Sequence, residues 1–180
     1  MDRKSLIRRE YLSKRRKKYF EINKFFFTPL IQLIKKKYRR KKVNISLYYP
    51  SSHEVNLLKI LEVEYFKKMN FLLPIIEENN SMNFFKWKKK DILYLNRYGI
   101  PEPIRSKKIV PSIILVPLLA FDKKKNRLGY GKGFYDKYLN KHNKKILTIG
   151  IAFSFQKHQK LPVNVNDFKL DYIITERGII

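Results

Sequence analysis

The sequence contains no cysteine, only two alanines and only six glycines. Without cysteine the chain can form no disulfide and no thiolate metal site, and we expect a reducing compartment. The longest apolar run, residues 113–121, is too short to span a bilayer and contains Pro117. No apolar signal region follows the basic N-terminus. These absences predict a cytoplasmic protein with no membrane partner.

Acidic residues are also scarce, because 41 lysines and arginines face 15 aspartates and glutamates, a formal charge of +26. Such an excess often indicates an anionic partner, such as nucleic acid. The chain is rich in Ile, Asn, Tyr and Phe as well as Lys, however, and all five have codons rich in A and T. Composition bias is therefore the preferred explanation for most of the charge.

The pattern of apolar residues predicts an α/β protein in one domain, residues 1–180. Residues 1–42 show helical spacing in two clusters and are expected to form a basic helical region packed on that domain. Apolar residues of 54–68 also recur at helical spacing, and residues 134–141, after a glycine-rich turn, are expected to form a helix. The segment "IPEP" (100–103) is expected to be a stiff connector. Strands are predicted at 43–49, 71–76, 83–87, 113–121, 146–153 and 170–175. The alternation favours a three-layer sandwich, with a mostly parallel central sheet flanked by helices.

Half of the scarce glycines lie in "RLGYGKGFYDKYL" (127–139), at Gly129, Gly131 and Gly133. A glycine-rich turn before a helix allows backbone N–H groups to approach a phosphate, and the helix N-terminus adds partial positive charge. Lys132 would add a full charge, and Asp136 an oxygen ligand for Mg²⁺. The spacing matches neither the P-loop nor the dinucleotide fingerprint. The residues alone therefore predict a nucleotide phosphate site.

The segment "LVPLLAFDKKKNRLGYGKGFYDKYL" closely resembles the signature of the 5-formyltetrahydrofolate cyclo-ligase family, also called methenyltetrahydrofolate synthetases. Other similar segments follow in the same order along nearly the whole chain: "KSLIR", "LYYPSSHEVN", "RYGIPEP", "IGIAFSFQ" and "LPVNVNDFKLDYIIT". The resemblance implies an enzyme that converts 5-formyltetrahydrofolate and MgATP to 5,10-methenyltetrahydrofolate, ADP and phosphate. It also implies a phosphorylated formyl group, an imidate phosphate, as the intermediate.

The resemblance also assigns roles to individual positions. It implies Asp136 and Asp167 as metal ligands, and Tyr49 and Glu54 as folate contacts together with residues 130–134. The ATP contacts that it implies are Lys4, Ser5, Arg8, Arg127, Leu128, Gly129, Tyr130, Gly131, Lys132, Gly133, Phe134 and Tyr135.

Tyr130 departs from the family pattern, because members often carry arginine at this position. A phosphate-facing or substrate-facing charge is therefore missing here or supplied by another residue. Two alternative functions stay open. The first is a nucleic-acid-binding protein that uses residues 1–42 on an α/β scaffold, and the second is a different kinase-like transfer by the same loop. The preferred interpretation, a cyclo-ligase, requires no nucleic acid, and we expect the protein to be a monomer.

Overall fold

A seven-stranded sheet lies at the centre of the protein, in a computed structural model that describes residues 2–39, 43–78, 80–142 and 146–180. The described chain forms, in order, α1 Arg3–Lys18, α2 Thr28–Tyr38, β1 Asn44–Ser46, β2 Asn70–Ile76, β3 Met82–Trp87, β4 Leu93–Leu95, β5 Pro101–Pro103, β6 Ile113–Pro117, β7 Ala120–Phe121, β8 Arg127–Leu128, α3 Phe134–His142, β9 Leu147–Ile151, β10 Tyr172–Thr175 and β11 Gly178–Ile179.

The central sheet has the strand order β11-β10-β9-β6-β1-β2-β3. The five inner strands run parallel, while β3 and β11 pair antiparallel at the two edges. Two small antiparallel pairs, β4 with β5 and β7 with β8, lie outside this sheet. The prediction of a mostly parallel sheet is confirmed.

Both faces of the sheet are buried, which is why its inner strands read as nearly continuous apolar runs. In β6, Ile113 and Leu115 pack into a core cluster with α2 on one face. Ile114 and Val116, with the opposite side-chain direction, pack into a second cluster with α3. The two clusters give the predicted three layers, helices above and below one sheet.

The N-terminal helix α1 packs against the β7–β8 hairpin. Ile7 and Tyr11, one helical turn apart, are buried there with Leu128 and three other apolar residues. The Tyr11 hydroxyl donates to the carbonyl of Lys157 at 3.0 Å. Helix α1 therefore packs against the rest of the chain. Of the predicted basic region 1–42, Met1 and residues 40–42 lie outside the described part.

Three sequence expectations are corrected by the structure. The strand predicted at 43–49 is regular only over Asn44–Ser46. The apolar pattern of 54–68 forms two short 3₁₀ turns instead of an α-helix, because Val63 between them has extended backbone angles. The "IPEP" connector forms β5, which pairs with β4 through residues 101–103. None of the described helices is long and apolar enough to cross a membrane.

Candidate active site

The glycine-rich loop connects β8 to α3 and needs glycine at two of its positions. Gly131 and Gly133 have φ values of +100° and +69°, which side chains rarely adopt. Phe134 begins α3 directly after the loop, and Asp136 in its first turn is favoured by the helix dipole. The predicted turn before a helix is confirmed, although the strand that leads into it is the short hairpin strand β8.

Helix α1 brings two cations from the start of the chain to this loop. Arg8 donates from Nε to the carbonyl of Gly129 at 3.0 Å. A Cβ atom on Gly131 would lie 3.3 Å from the guanidinium carbon of Arg8, so glycine also allows this close approach. Lys4, one helical turn earlier, forms an ion pair with Asp167 at 2.5 Å. Lys4 and Arg8 thus lie on one helix face beside the loop, as the sequence predicts.

The two predicted metal ligands lie next to each other in the fold. Oδ1 of Asp136 accepts hydrogen bonds from Arg127 at 2.8 Å and from the backbone N–H of Phe168, the neighbour of Asp167, at 2.9 Å. Burial raises the pKa of Asp167, but hydrogen bonds from Lys4 and the Asn164 N–H outweigh it, and the pKa lies below its ordinary value. Asp167 therefore remains a carboxylate at neutral pH.

These carboxylates suit a magnesium ion that arrives with a nucleotide. Within the described part of the chain, Oδ2 of Asp136 and Oδ1 of Asp167 accept no hydrogen bond, so each has lone pairs available. The described residues contain no cluster of three or more histidine, aspartate or glutamate side chains that could hold a metal by themselves. Mg²⁺ commonly binds through one or two carboxylates plus substrate phosphates, and this donor set fits that mode.

A second group of polar residues lies beside the loop, around the buried Glu54. The Tyr130 hydroxyl donates to Oε1 of Glu54 at 2.6 Å and accepts from Nη2 of Arg15 at 2.6 Å. Oε2 of Glu54 accepts from the backbone N–H of Ser51 at 2.9 Å. Burial raises the pKa of Glu54 above its ordinary value, against the opposing effects of Tyr130, Ser51 and Arg15. Burial also raises the pKa of the Tyr130 phenol, so that it stays protonated and able to donate.

The remaining predicted site residues differ in their exposure and in their contacts. Lys132 is exposed, with Nζ 5.7 Å from the ring centroid of Tyr98, and the ring of Phe134 lies 5.9 Å from the same ring. Tyr49 is half-buried after β1, and Ser5 is half-buried on α1. Leu128 is buried in the core against α1, so only its backbone is available to a ligand. Tyr135 is half-buried, and burial raises the pKa of its phenol.

Arg15 was missed as a site residue, because the run "SKRRKK" reads as a solvated helix face. The structure buries Arg15 completely and places its charge beside Tyr130, where the family pattern often has an arginine. Helix α1 thus brings a cation to Tyr130, although this cation is buried and does not face a ligand. A signal did exist: Lys4, Arg8 and Arg15 share one helical face with the buried Ile7 and Tyr11.

Comparison with known proteins agrees with the family resemblance of the sequence motifs. Residues 1–176 match the model of the 5-formyltetrahydrofolate cyclo-ligase family. The chain is 31% identical to the 5-formyltetrahydrofolate cyclo-ligase of Haemophilus influenzae over 140 residues, which cover 73% of this chain and 75% of the relative. It is 34% identical to the enzyme of the same name from Mycoplasma genitalium over 132 residues, covering 73% and 71% of the two chains.

Solved structures agree with the fold. The NMR structure of the 5,10-methenyltetrahydrofolate synthetase from Aquifex aeolicus superposes with a TM-score of 0.77 at 30% identity, and covers 98% of this chain and 91% of that one. The synthetase from Mycoplasma pneumoniae superposes with a TM-score of 0.75 at 24% identity, which supports the fold alone. With the sequence motifs and the family match, these findings show that the chain belongs to the 5-formyltetrahydrofolate cyclo-ligase family.

Proposed function

We propose that this protein is an ATP- and Mg²⁺-dependent 5-formyltetrahydrofolate cyclo-ligase, which forms 5,10-methenyltetrahydrofolate and releases ADP and phosphate. The observation that carries the proposal is the meeting of distant parts of the chain at one loop. Arg8 from α1 contacts the glycine loop, and Lys4 from the same helix pairs with Asp167. Asp136, in the helix that follows the loop, accepts a hydrogen bond from the neighbour of Asp167. Glu54 is joined to the same loop by its hydrogen bond from Tyr130.

The glycine loop is the proposed site of the ATP phosphates. Its positive-φ glycines expose backbone N–H groups without side chains, at the N-terminus of α3. Lys4, Arg8 and Lys132 would neutralise phosphate charge, and Arg127 holds Asp136 in place from a buried position. When Mg²⁺ is bound, Asp136 and Asp167 would hold it, and it would neutralise further charge on the transferred phosphate.

Glu54 is the proposed contact for the polar edge of the pterin ring. A carboxylate accepts hydrogen bonds from the ring's N–H donors, and Oε1 has a lone pair left after its bond from Tyr130. The rings of Tyr98 and Phe134, whose centroids lie 5.9 Å apart, offer an aromatic surface at the end of the glycine loop. The folate and the nucleotide would thus meet at Tyr130.

The proposed reaction needs alignment and charge neutralisation, and no side-chain nucleophile. The formyl oxygen on N5 attacks the γ-phosphorus of ATP while the bond to ADP breaks, giving an imidate phosphate. N10 then attacks the formyl carbon, phosphate leaves with the C–O bonding electrons, and N10 loses its proton. The product is the 5,10-methenyl bridge, and the absence of cysteine from the chain poses no difficulty.

The test is formation of methenyltetrahydrofolate, followed by its absorbance, with and without MgATP. We expect product only with MgATP and one ADP released per product. Replacing Lys132 by Ala should lower kcat/KM for MgATP by about tenfold to a hundredfold, the value of a charged hydrogen bond. Asp136→Ala should impair turnover and raise the Mg²⁺ concentration required.

The matched control is Lys36→Ala, which removes an exposed lysine on α2. It should retain the kinetics of the unmodified protein. Full activity of both Lys132→Ala and Asp136→Ala would refute the assigned roles, and product formation without ATP would refute the proposed reaction. Release of ADP only with other acceptors would favour a different phosphoryl transfer.

A further inference from the structure

We propose that Arg15 is the positioning residue for Glu54, and that it keeps this buried carboxylate ionised and fixed through the hydroxyl group of Tyr130. The inference rests on the proposed function, because it takes Glu54 as the folate ligand. Arg15 itself is not expected to touch either substrate, since its side chain is fully buried.

The contacts form one continuous chain of hydrogen bonds. Nη2 of Arg15 donates to the Tyr130 hydroxyl at 2.6 Å, and that hydroxyl donates to Oε1 of Glu54 at 2.6 Å. Nη1 of Arg15 lies 3.9 Å from the same Oε1 atom. Because the guanidinium fixes the hydroxyl as an acceptor, its proton is directed to Glu54. Hydrogen bonds in such a chain polarise and strengthen one another.

Among the described residues, Arg15 is also the only cation within 4.0 Å of the Glu54 carboxylate, and its charge lowers the pKa of that group against the effect of burial. The other titratable groups that face Glu54 are Tyr48, Tyr130 and Tyr135, whose phenols are neutral because burial raises their pKa values. The Glu54 side chain is only 5% exposed, and burial without a countercharge favours the protonated acid. A protonated Glu54 would lose part of its capacity to accept hydrogen bonds from a ligand.

The backbone before Glu54 gives independent support for a positioning role. Ser52 and His53 have φ values of +47° and +61°, although neither is glycine. Such conformations persist only where the surroundings impose them. Arg15 contributes directly, because Nη2 donates to the carbonyl of Ser52 at 2.6 Å. A second donation, from Nη1 to the carbonyl of Leu118 at 3.5 Å, connects this loop to the end of β6.

The first test compares Arg15→Met and Arg15→Lys, with Arg16→Met as control, since Arg16 is the exposed neighbour on α1. Arg15→Met should raise KM for 5-formyltetrahydrofolate at least tenfold, leave KM for MgATP within about twofold, and move the acid limb of kcat/KM up by about one pH unit. Arg15→Lys should recover part of both losses. Arg16→Met should change neither.

The second test measures stability and needs no catalysis. In Arg15→Met the pKa of folded Glu54 should lie further above its unfolded value, so stability is lost as pH rises through the folded pKa. The loss of unfolding free energy caused by Arg15→Met should therefore be larger at about pH 8 than at about pH 5. Adding Glu54→Gln to this variant should remove the pH dependence, because the unpaired charge is then absent.

The two tests separate the possible failures. An unshifted acid limb, together with an equal loss of stability at both pH values, would overturn the proposal and leave Arg15 as an ordinary packing residue. A pH-dependent loss of stability in a protein that never forms methenyltetrahydrofolate would refute the proposed function and, with it, the folate role of Glu54. The Arg15–Glu54 coupling itself would stand in that case.

Discussion

At the scale of single residues, Gly131 shows why glycine is concentrated in this loop. Its backbone has a φ of +100°, and the guanidinium of Arg8 lies against the position that a Cβ atom would occupy. Gly133 shares the left-handed backbone but has no atom within 4 Å of that position. Both glycines are therefore required by their backbone conformation, and Gly131 is required also because Arg8 of α1 packs against it.

Gly131→Ala should raise KM for MgATP severalfold, because the new methyl group both strains the backbone and displaces Arg8. The matched control is Gly178→Ala at the start of β11, where φ is a similar +116° but no atom lies within 4 Å of the Cβ position. Both variants should lose about 1 kcal/mol or more of stability from strain alone. Steady-state kinetics with urea unfolding of each variant checks this, and an equal KM for the two would contradict the role of the Arg8 contact.

At the scale of elements, α1 contributes three cations to the proposed site. It supplies Lys4, Arg8 and Arg15 from one face, and the same face is attached to the β7–β8 hairpin through Ile7 and Tyr11. The apolar packing of α1 thus positions these cations, together with their own hydrogen bonds and ion pairs. Weakening that packing should impair both substrate sites together.

Tyr11→Ala should cost about 3 kcal/mol of stability, because the side chain is 2% exposed and its hydroxyl bond to Lys157 is also lost. It should also raise KM for both substrates, since Arg8 and Arg15 depend on the docked helix. Leu12→Ala, on the same helix but 38% exposed, is the control and should cost well under 1 kcal/mol. Thermal unfolding and kinetics measure both effects. Unchanged KM values in a folded Tyr11→Ala protein would show that α1 does not position the site.

The sequence predicts the elements that carry strong local signals. The parallel strands are apolar on both faces, and the glycine loop is followed by a helix with Asp136 in its first turn. The sequence is a poor predictor of segments whose conformation depends on tertiary contacts. The 54–68 segment has helical spacing, yet packs as 3₁₀ turns against the core, and Arg15 becomes buried only because Glu54 and Tyr130 surround it. The local sequence places Arg15 on the same helical face as the buried Ile7 and Tyr11, but it does not reveal the partners from distant segments.

At the scale of the whole molecule, only a few of the cations behind the charge of +26 lie at the proposed site. Lys4, Arg8 and Arg127 are engaged at the proposed nucleotide site, and Arg15 is buried against Glu54. Many other lysines, such as Lys35, Lys36 and Lys37 of α2, remain on the surface. A positive field near the site favours the anionic substrates but does not require so large an excess.

We therefore expect nucleic-acid binding to be nonspecific and unrelated to catalysis. Affinity for single-stranded and duplex nucleic acid should fall steeply with salt and should be the same for Lys132→Ala as for Lys36→Ala. A salt-titrated binding assay, with cyclisation measured in parallel, checks this. Tight binding at physiological salt in a protein without ATP-dependent cyclisation would favour the nucleic-acid alternative instead.

The central claim is that the backbone between Arg127 and Asp136 holds the terminal phosphates of a nucleotide beside a folate cleft. Its most direct test is a crystal structure with Mg²⁺ and a non-hydrolysable ATP analogue. We predict phosphate density against the N–H groups of residues 129–133, with the metal at Asp136 and Asp167. A nucleotide bound elsewhere, with this loop empty and its N–H groups facing no ligand, would contradict the account.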